Sequence, residues 1–198
     1  MRVPKGIVPF ALLLGLGVAP LHAQYANEQG PGVEFSLGGG IGFPLSNFDD
    51  IAKLGWHGLA GFSVVPNGWP VGIQIDGQYQ QYKLDEDVVG RGNLKDRLIM
   101  GTANLVYKFQ TSEGSTFRPY LIGGGGVYNL KTTGSSDVGT VIDTDNSQTK
   151  FGINAGAGFD FKAGSAGIFI ESRFHDVFTS GKNVQFVPVT LGIRFGGH

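Results

Sequence analysis

The chain has 198 residues, of which 34 are glycine, none is cysteine and 16% are charged. The lack of cysteine excludes disulfides and thiolate metal sites, and a formal net charge of −1 disfavours nucleic acid as a partner. Charged residues usually make up about a quarter of a chain, so the composition is too poor in charge for an ordinary soluble domain.

The N-terminal segment has the order of a secretory signal peptide. Basic side chains lie within the first five residues, an apolar stretch runs from Ile7 to Val18, and small Ala23 precedes the expected cleavage point. The stretch contains Pro9 and is shorter than the roughly 20 residues of a membrane-spanning helix. We therefore expect residues 1–23 to be removed during export through the Sec pathway, and residues 24–198 to form one domain.

Four segments in the first half of that domain alternate apolar and polar side chains at period two, which predicts β-strands. In the third segment, Ile73 and Ile75 alternate with Gln74 and Asp76. A polar stretch over residues 85–97 precedes the fourth segment and is predicted to be a loop. The four predicted strands span residues 33–45, 56–65, 71–82 and 98–109.

Four further alternating segments follow, around a long Thr-, Ser- and Asp-rich connection from Thr132 to Thr149. They span residues 117–131, 150–161, 168–178 and 185–195. In the fifth segment the apolar face is predicted to carry Tyr120, Ile122, Tyr128 and Leu130, with Asn129 and Lys131 opposite. An even number of antiparallel strands can close on itself and remove its edges, so the fold class is all-β and the fold an eight-stranded up-and-down barrel.

Aromatic residues near the strand ends indicate which face of the barrel meets lipid. The strands match the roughly 9–11 residues that cross a bilayer at a tilt, and two aromatic girdles are typical of barrels that face lipid. One predicted girdle contains Trp69, Phe109, Tyr120, Phe161 and Phe195. The other contains Phe43, Trp56, Tyr79, Tyr128 and Phe178.

The polar faces carry few charges, and those nearly cancel, which suits the narrow interior of a small barrel. Glu171, Arg173 and His175 project to the same side of one strand. They fit a catalytic or proton-conducting cluster, but buried charges need partners, which favours a structural ion-pair network. The predicted network contains Glu34, Asp76, Lys108, Lys150, Asp160, Glu171, Arg173, His175 and Arg194.

Motifs for catalysis and metal binding are incomplete. The glycine run 123–126 lacks the Lys-Ser/Thr ending of a phosphate-binding loop, and Asp143–Ser147 lacks the glycine and glutamate of a calcium loop. One group of lipid A deacylases uses a His and a Ser two residues apart, a spacing that this sequence does not contain. We expect no enzyme activity, no cofactor and no metal site, although loose cation binding by a surface loop stays open.

Three stretches carry a family resemblance: Arg118–Gly126, Phe151–Gly158 and Phe186–Phe195. They resemble the outer-membrane β-barrel domain family, the OmpA-like and opacity-porin-like group, and the resemblance spans essentially the whole mature chain. It implies a barrel in a Gram-negative outer membrane with both termini in the periplasm. We further expect contact with outer-membrane lipid and lipopolysaccharide, insertion by the barrel-assembly machinery and a monomer. Residues 196–198 follow the terminal Phe at which the family's assembly signal closes.

Such barrels serve several roles, so the sequence leaves three functions open. The first is a structural or surface-interaction role, adhesion or envelope integrity, with any extracellular ligand bound by loops. The acidic pieces Asp49-Asp50 and Asp85-Glu86-Asp87 and the segment Thr132–Thr149 would form those loops. The second is a narrow channel for small solutes or ions. The third is a secreted soluble ligand-binding barrel.

Overall fold

The computed structural model describes residues 32–46, 52–83, 92–112, 115–136, 141–142, 147–163 and 166–196. Its strands are β1 (Gly32–Leu45), β2 (Gly55–Val65), β3 (Val71–Lys83), β4 (Gly92–Lys108), β5 (Phe117–Ser136), β6 (Val141–Ile142), β7 (Gln148–Ala163), β8 (Ala166–Val177) and β9 (Val184–Gly196). Within these ranges, no helix has the length and apolar character needed to cross a membrane.

Eight of these strands close into a barrel. Strands β1 to β5 pair antiparallel in chain order, β5 pairs with β7, and β7 to β9 continue the ladder. Strand β9 then pairs with β1, from Glu34 with Gly196 to Leu45 with Gln185. The two-residue β6 pairs only with the end of β5, outside the closed sheet. The predicted eight-stranded antiparallel barrel is therefore confirmed.

The two ends of the barrel differ in their connections. Residues 66–70, 109–116 and 164–165 connect strands at the end where β1 begins and β9 ends, which we call the turn end. Gly68 has a φ of 72°, a left-handed conformation that suits glycine in such a tight turn. At the opposite end, the loop end, strands are joined by residues 46–54, 84–91, 137–147 and 178–183.

Alternation along each strand separates an apolar outer face from a polar inner one. In β3, for example, Ile73 and Ile75 are 58% and 60% exposed, whereas Gln74 and Asp76 are buried. Large apolar side chains are likewise exposed on the other strands of the closed sheet. The outside is thus an apolar band and the inside is filled by polar side chains.

The prediction for β5 was wrong. Tyr120, Ile122 and Tyr128 are buried inside the barrel, while Leu121 and Val127 face outward. Both faces of this strand carry apolar residues, and four consecutive glycines between them contribute no side chain to the alternation. The sequence pattern therefore could not distinguish the two faces.

The strands at the loop end are also longer than predicted. Strand β4 starts at Gly92, inside the stretch predicted to be a loop, and β5 continues to Ser136 beyond the predicted end at residue 131. Their backbones pair along this whole length, from Gly92 with Ser136 to Lys108 with Tyr120. Outside the described residues lie the predicted signal peptide 1–23, Asp49-Asp50, Asp85-Glu86-Asp87, residues 143–146 of the rejected calcium loop, and Gly197-His198.

Candidate functional site

The barrel lumen brings together charged residues that are far apart in the sequence. Because each strand turns alternate side chains inward, residues from β1, β3, β4, β7, β8 and β9 meet there. Most of the predicted network forms ion pairs, in two groups. The turn-end cluster consists of Glu34, Lys108, Asp160 and Arg194. The central cluster consists of Asp76, Glu171 and Arg173.

The turn-end cluster has two acidic and two basic side chains, so its formal charges cancel. Lys108 Nζ donates to both carboxylate oxygens of Glu34, at 2.5 and 2.6 Å. Arg194 Nη1 donates to Asp160 Oδ1 at 2.5 Å, and Lys108 Nζ lies 3.7 Å from Asp160 Oδ2. Ser63 Oγ donates to Glu34 Oε2 at 3.2 Å. The side chains alternate in charge around the lumen, which offsets the cost of removing them from water.

Tyr120 joins the two clusters. Its hydroxyl donates to Glu171 Oε2 at 2.9 Å, and the guanidinium carbon of Arg194 lies 5.1 Å from the centre of its ring. The ring of Phe169 contacts the same guanidinium, at 4.8 Å. A Cβ atom on Gly158 would collide with the Tyr120 ring. The inward glycine on β7 therefore makes room for this aromatic link.

The central cluster is almost fully buried. Arg173 donates from Nη1 to Asp76 Oδ2 and from Nε to Glu171 Oε1, each at 2.5 Å. Asp76 also accepts hydrogen bonds from Gln74 Nε2 at 2.7 Å and Asn104 Nδ2 at 2.8 Å. One guanidinium faces two carboxylates, and the neutral donors supply the remaining hydrogen bonds that buried carboxylates require. Charged and amide groups thus span the middle of the lumen.

The other half of the lumen, toward the loop end, is filled by aromatic rings and apolar side chains, which we call the loop-end layer. The imidazole of His175 stacks on Phe186 with ring centres 4.8 Å apart, and its Nδ1 shares a hydrogen bond of 2.9 Å with the Tyr128 hydroxyl. His57 Nε2 shares a hydrogen bond of 2.9 Å with Thr190 Oγ1. The buried apolar cluster of this layer contains Ala52, Tyr82, Leu98, Met100, Tyr128, Val177 and Phe186.

Two members of the predicted network lie outside both clusters. His175 is bonded to Tyr128 and packed on Phe186, because it lies beyond Arg173 toward the loop end. Lys150 is half-buried, on the inward side of β7 at the register position opposite Tyr128, and forms no ion pair with another described residue. The alternation of apolar and polar side chains predicts which residues lie on the inner face. The position of a residue along the barrel axis decides which side chains it contacts.

The girdle prediction was wrong for Tyr120 and Tyr128, which point inward. The Tyr120 hydroxyl forms a hydrogen bond with Glu171, and the Tyr128 hydroxyl forms one with His175. The inward position therefore gives each buried hydroxyl group a hydrogen-bond partner. The other predicted girdle residues lie on the outer side near the two rims: Trp69, Phe109, Phe161 and Phe195 at the turn end, and Phe43, Trp56, Tyr79 and Phe178 at the loop end. Tyr107 and Phe117 also lie exposed at the turn end.

Sequence reasoning missed several lumen residues that the structure brings to the clusters. Asn104 donates to Asp76 and accepts from Asn154, and both amides occupy polar positions of strands whose faces were predicted correctly. Their alternation with apolar residues was a usable signal. Tyr120 gave no such signal, because an aromatic residue near a strand end fits both a girdle and a lumen.

The positions of the histidines and carboxylates bear on hydrolysis and metal binding. His57 and His175 are both buried inside, away from the lipid-facing side where the deacylase motif would act. In the part of the chain that the structure describes, no three His, Asp or Glu side chains are arranged to hold a metal ion. The arrangement can instead fill the barrel and hold its strands in register.

Comparison with known proteins agrees with this architecture. The sequence matches the family described as outer membrane protein beta-barrel domain over residues 10–195. No curated protein sequence matches the chain. Neisserial surface protein A is 16% identical with a TM-score of 0.58, and the match covers 82% of this chain and 96% of that one.

Two further solved structures share the fold. The attachment invasion locus protein Ail of Yersinia pestis, in complex with the heparin analogue sucrose octasulfate, is 16% identical with a TM-score of 0.52, covering 84% of this chain and 99% of that one. A major outer membrane protein of Thermus thermophilus is 12% identical with a TM-score of 0.58, covering 83% and 99%. The family match extends over most of the sequence and the outer face is an apolar band, so the chain belongs to the outer membrane protein β-barrel domain family and resides in the outer membrane, in contact with its lipids.

Proposed function

We propose that this protein is a non-enzymatic outer-membrane barrel with a filled lumen, which acts through its loop end in adhesion or envelope integrity. The observation that carries the proposal is the continuous set of side-chain contacts across the lumen. It runs from the turn-end cluster through Tyr120 to the central cluster, and the loop-end layer closes the opposite half. A filled interior leaves the loops as the part that meets other molecules.

Support for a surface role comes from the connections at the loop end, which include the acidic pieces and residues 137–147 of the Thr132–Thr149 segment. The name of Ail, attachment invasion locus protein, associates a barrel of this fold with attachment. Removal of residues 1–23, insertion by the barrel-assembly machinery and a monomeric state belong to the same proposal.

The proposal that the barrel is not an enzyme is supported by the burial of both histidines that lie on described strands. A lipid-modifying hydrolase needs its nucleophile and base at the lipid-facing surface, and His57 and His175 are 3% and 1% exposed inside the barrel. The outer-membrane location also excludes the third sequence hypothesis, the soluble secreted barrel.

A narrow channel is the second candidate function, and one observation favours it. His57 Nδ1, His175 Nε2 and Arg173 Nη2 are buried without a hydrogen-bond partner among the described residues. Buried polar atoms are normally paired, and water is a common partner. A hydrated path through the central and loop-end parts of the lumen would satisfy all three atoms.

Planar-bilayer recording of the purified, folded barrel separates the two functions. The filled-lumen proposal expects no single-channel current in about 1 M KCl, whereas regular conductance steps would establish the channel instead. Heat-modifiable gel migration checks that the sample is folded.

In parallel, cells that display the barrel should adhere to host-cell or matrix surfaces or resist detergent better than cells that lack it. Equal behaviour in both assays would overturn the surface role.

A further inference from the structure

The backbone ladder between β8 and β9 is interrupted at one place. Pairing between these two described strands runs as far as Ser172 with Val189 and resumes at His175 with Phe186, so two successive pairs are not formed. Pro188 lies in this gap, and a proline has no N–H with which to donate a ladder hydrogen bond. We call this interruption the Pro188 gap.

The acceptor that loses its donor in the Pro188 gap is the backbone carbonyl of Arg173. Successive residues of an antiparallel strand direct their N–H and C=O groups to alternate sides. The carbonyl of Ser172 lies against β7, so the carbonyl of Arg173 is directed toward β9. The carbonyl of Val189 lies against β1, so the nitrogen of Pro188 is directed toward β8. The missing bond is therefore the one from residue 188 to the Arg173 carbonyl, and both unformed pairs depend on it.

This carbonyl needs another donor, because a membrane-spanning barrel is stable only when its backbone polar groups are satisfied. The outer side of the wall is apolar here: Phe174, the neighbour of Arg173, is 40% exposed on that side. Acyl chains around it have no donor to offer. The donor therefore has to come from the lumen, where Pro188 is fully buried.

Three side-chain atoms on the lumen side also have no hydrogen-bond partner among the described residues: Arg173 Nη2, His175 Nε2 and His57 Nδ1. Their side chains are almost fully buried. Arg173 and His175 are two residues apart on the inner face of β8, and His175 lies within electrostatic range of His57. His57 Nε2 lies 2.9 Å from Oγ1 of Thr190, which is two residues from Pro188 on the inner face of β9. The three unpaired atoms therefore lie around the inner side of the gap.

The unpaired groups need partners of different kinds. The Arg173 carbonyl can only accept a hydrogen bond and its guanidinium can only donate one, whereas an imidazole nitrogen does either, depending on the tautomer. A cation would suit the carbonyl but be repelled by the guanidinium, and an anion would suit the guanidinium but not the carbonyl. Water both donates and accepts, and a buried water typically forms about three hydrogen bonds.

We propose that ordered water is bound at the inner side of the Pro188 gap, where it donates to the Arg173 carbonyl and bonds the unpaired atoms of Arg173, His175 and His57. The water replaces the missing ladder bond and connects the central cluster with the loop-end layer. The site is local and goes beyond the proposed function, because both a filled lumen and a narrow channel can contain it. Its test is therefore independent of any conductance measurement.

Contacts between water and single amides of the folded barrel test the site. In a perdeuterated, ¹⁵N-labelled barrel in detergent micelles, a bound water near an amide gives cross-peaks of opposite sign in NOE and ROE spectra, whereas proton exchange gives the same sign in both. The wild type should show such bound-water cross-peaks at the amides of Arg173 and His175, which flank the unpaired carbonyl. Pro188→Ala supplies an N–H that should bond the carbonyl directly, so these cross-peaks should disappear.

Pro44→Ala is the matched control. Pro44 is also a buried, inward-facing proline, but it lies beyond the last β1–β2 pair, Gly42 with Gly55, and it keeps its pairing with Phe186 of β9. Its missing N–H therefore interrupts no ladder, and the variant should keep the wild-type cross-peaks at Arg173 and His175.

Pro188→Ser supplies the same N–H as Pro188→Ala and should give the same result, with heat-modifiable migration confirming that each variant is folded. Lack of bound-water cross-peaks at both amides of the wild type would overturn the proposal. So would their persistence in both Pro188 variants, because the hydroxyl groups of Thr190 and Tyr128 remain there and would be the source of the signal. Equal loss in Pro44→Ala would show that the water does not depend on the gap, and would overturn it as well.

Discussion

Toward the turn end and the centre, the lumen is filled by charged side chains in ion pairs, whereas toward the loop end it is filled by rings and apolar side chains around two histidines. Arg173 makes two ion pairs in the first region, while His175 in the second makes one neutral hydrogen bond and one ring stack. Ion pairing should therefore stabilise the turn-end and central part of the lumen. Packing of rings and apolar side chains should stabilise the loop-end part. Three substitutions test this difference.

The largest effect is expected for Arg173→Met, which leaves Asp76 and Glu171 buried as unpaired carboxylates. We expect the free energy of unfolding to fall by about 3–5 kcal/mol, as is usual when one member of a buried ion pair is removed. Urea unfolding of the barrel in lipid vesicles, followed by gel migration without boiling, measures this change. The triple variant Asp76→Asn, Glu171→Gln and Arg173→Met is the control. It should recover most of the loss because no uncompensated charge remains.

A smaller effect is expected for Glu171→Gln. Arg173 keeps its ion pair with Asp76, and the new amide oxygen still accepts the hydrogen bond from the Tyr120 hydroxyl. We expect a loss of about 1.5 kcal/mol, the lower value for a hydrogen bond to a charged group, seen as a lowered unfolding midpoint in detergent. An unchanged midpoint would show that the central cluster does not stabilise the barrel by charge pairing.

The smallest effect is expected for His175→Phe in the loop-end layer. The new ring keeps the stack on Phe186, and only the Tyr128 hydroxyl loses a partner, at a cost of about 1 kcal/mol. His175→Ala removes the ring and should cost at least about twice as much through the cavity it leaves. If the two variants were equally unstable in urea, hydrogen bonding rather than packing would stabilise this half.

Alternation in the sequence was enough to predict the closed barrel and the outward face of most strands. It failed in β5, where Tyr120 and Tyr128 resemble girdle residues and the glycine run provides no side chains. The decisive information there is the register with β4, in which Lys108 stands opposite Tyr120 and Met100 opposite Tyr128. Register depends on pairing between strands, which a single strand's pattern does not contain.

The candidate site was predictable as a set of inward charges but not as separate clusters. Grouping depends on the stagger between neighbouring strands, which brings Arg194 to Asp160 and leaves Lys150 apart from both clusters. The start of β4 and the end of β5 were missed for a related reason. These strand ends are rich in polar residues and glycine, so the sequence offers no regular apolar alternation by which they could be recognised.

The central claim is that side chains fill the lumen and leave no open aqueous path through it. It is tested most directly by measuring how fast introduced cysteines react, because the chain itself has no cysteine. Thr102→Cys places a thiol beside the central cluster at a buried position, and Ser180→Cys places one in an exposed loop-end connection. A small, charged, water-soluble thiol reagent added to the folded barrel in vesicles should modify residue 180 rapidly and leave residue 102 essentially unmodified. Equal rates of modification at the two positions would show an open aqueous lumen and contradict the account.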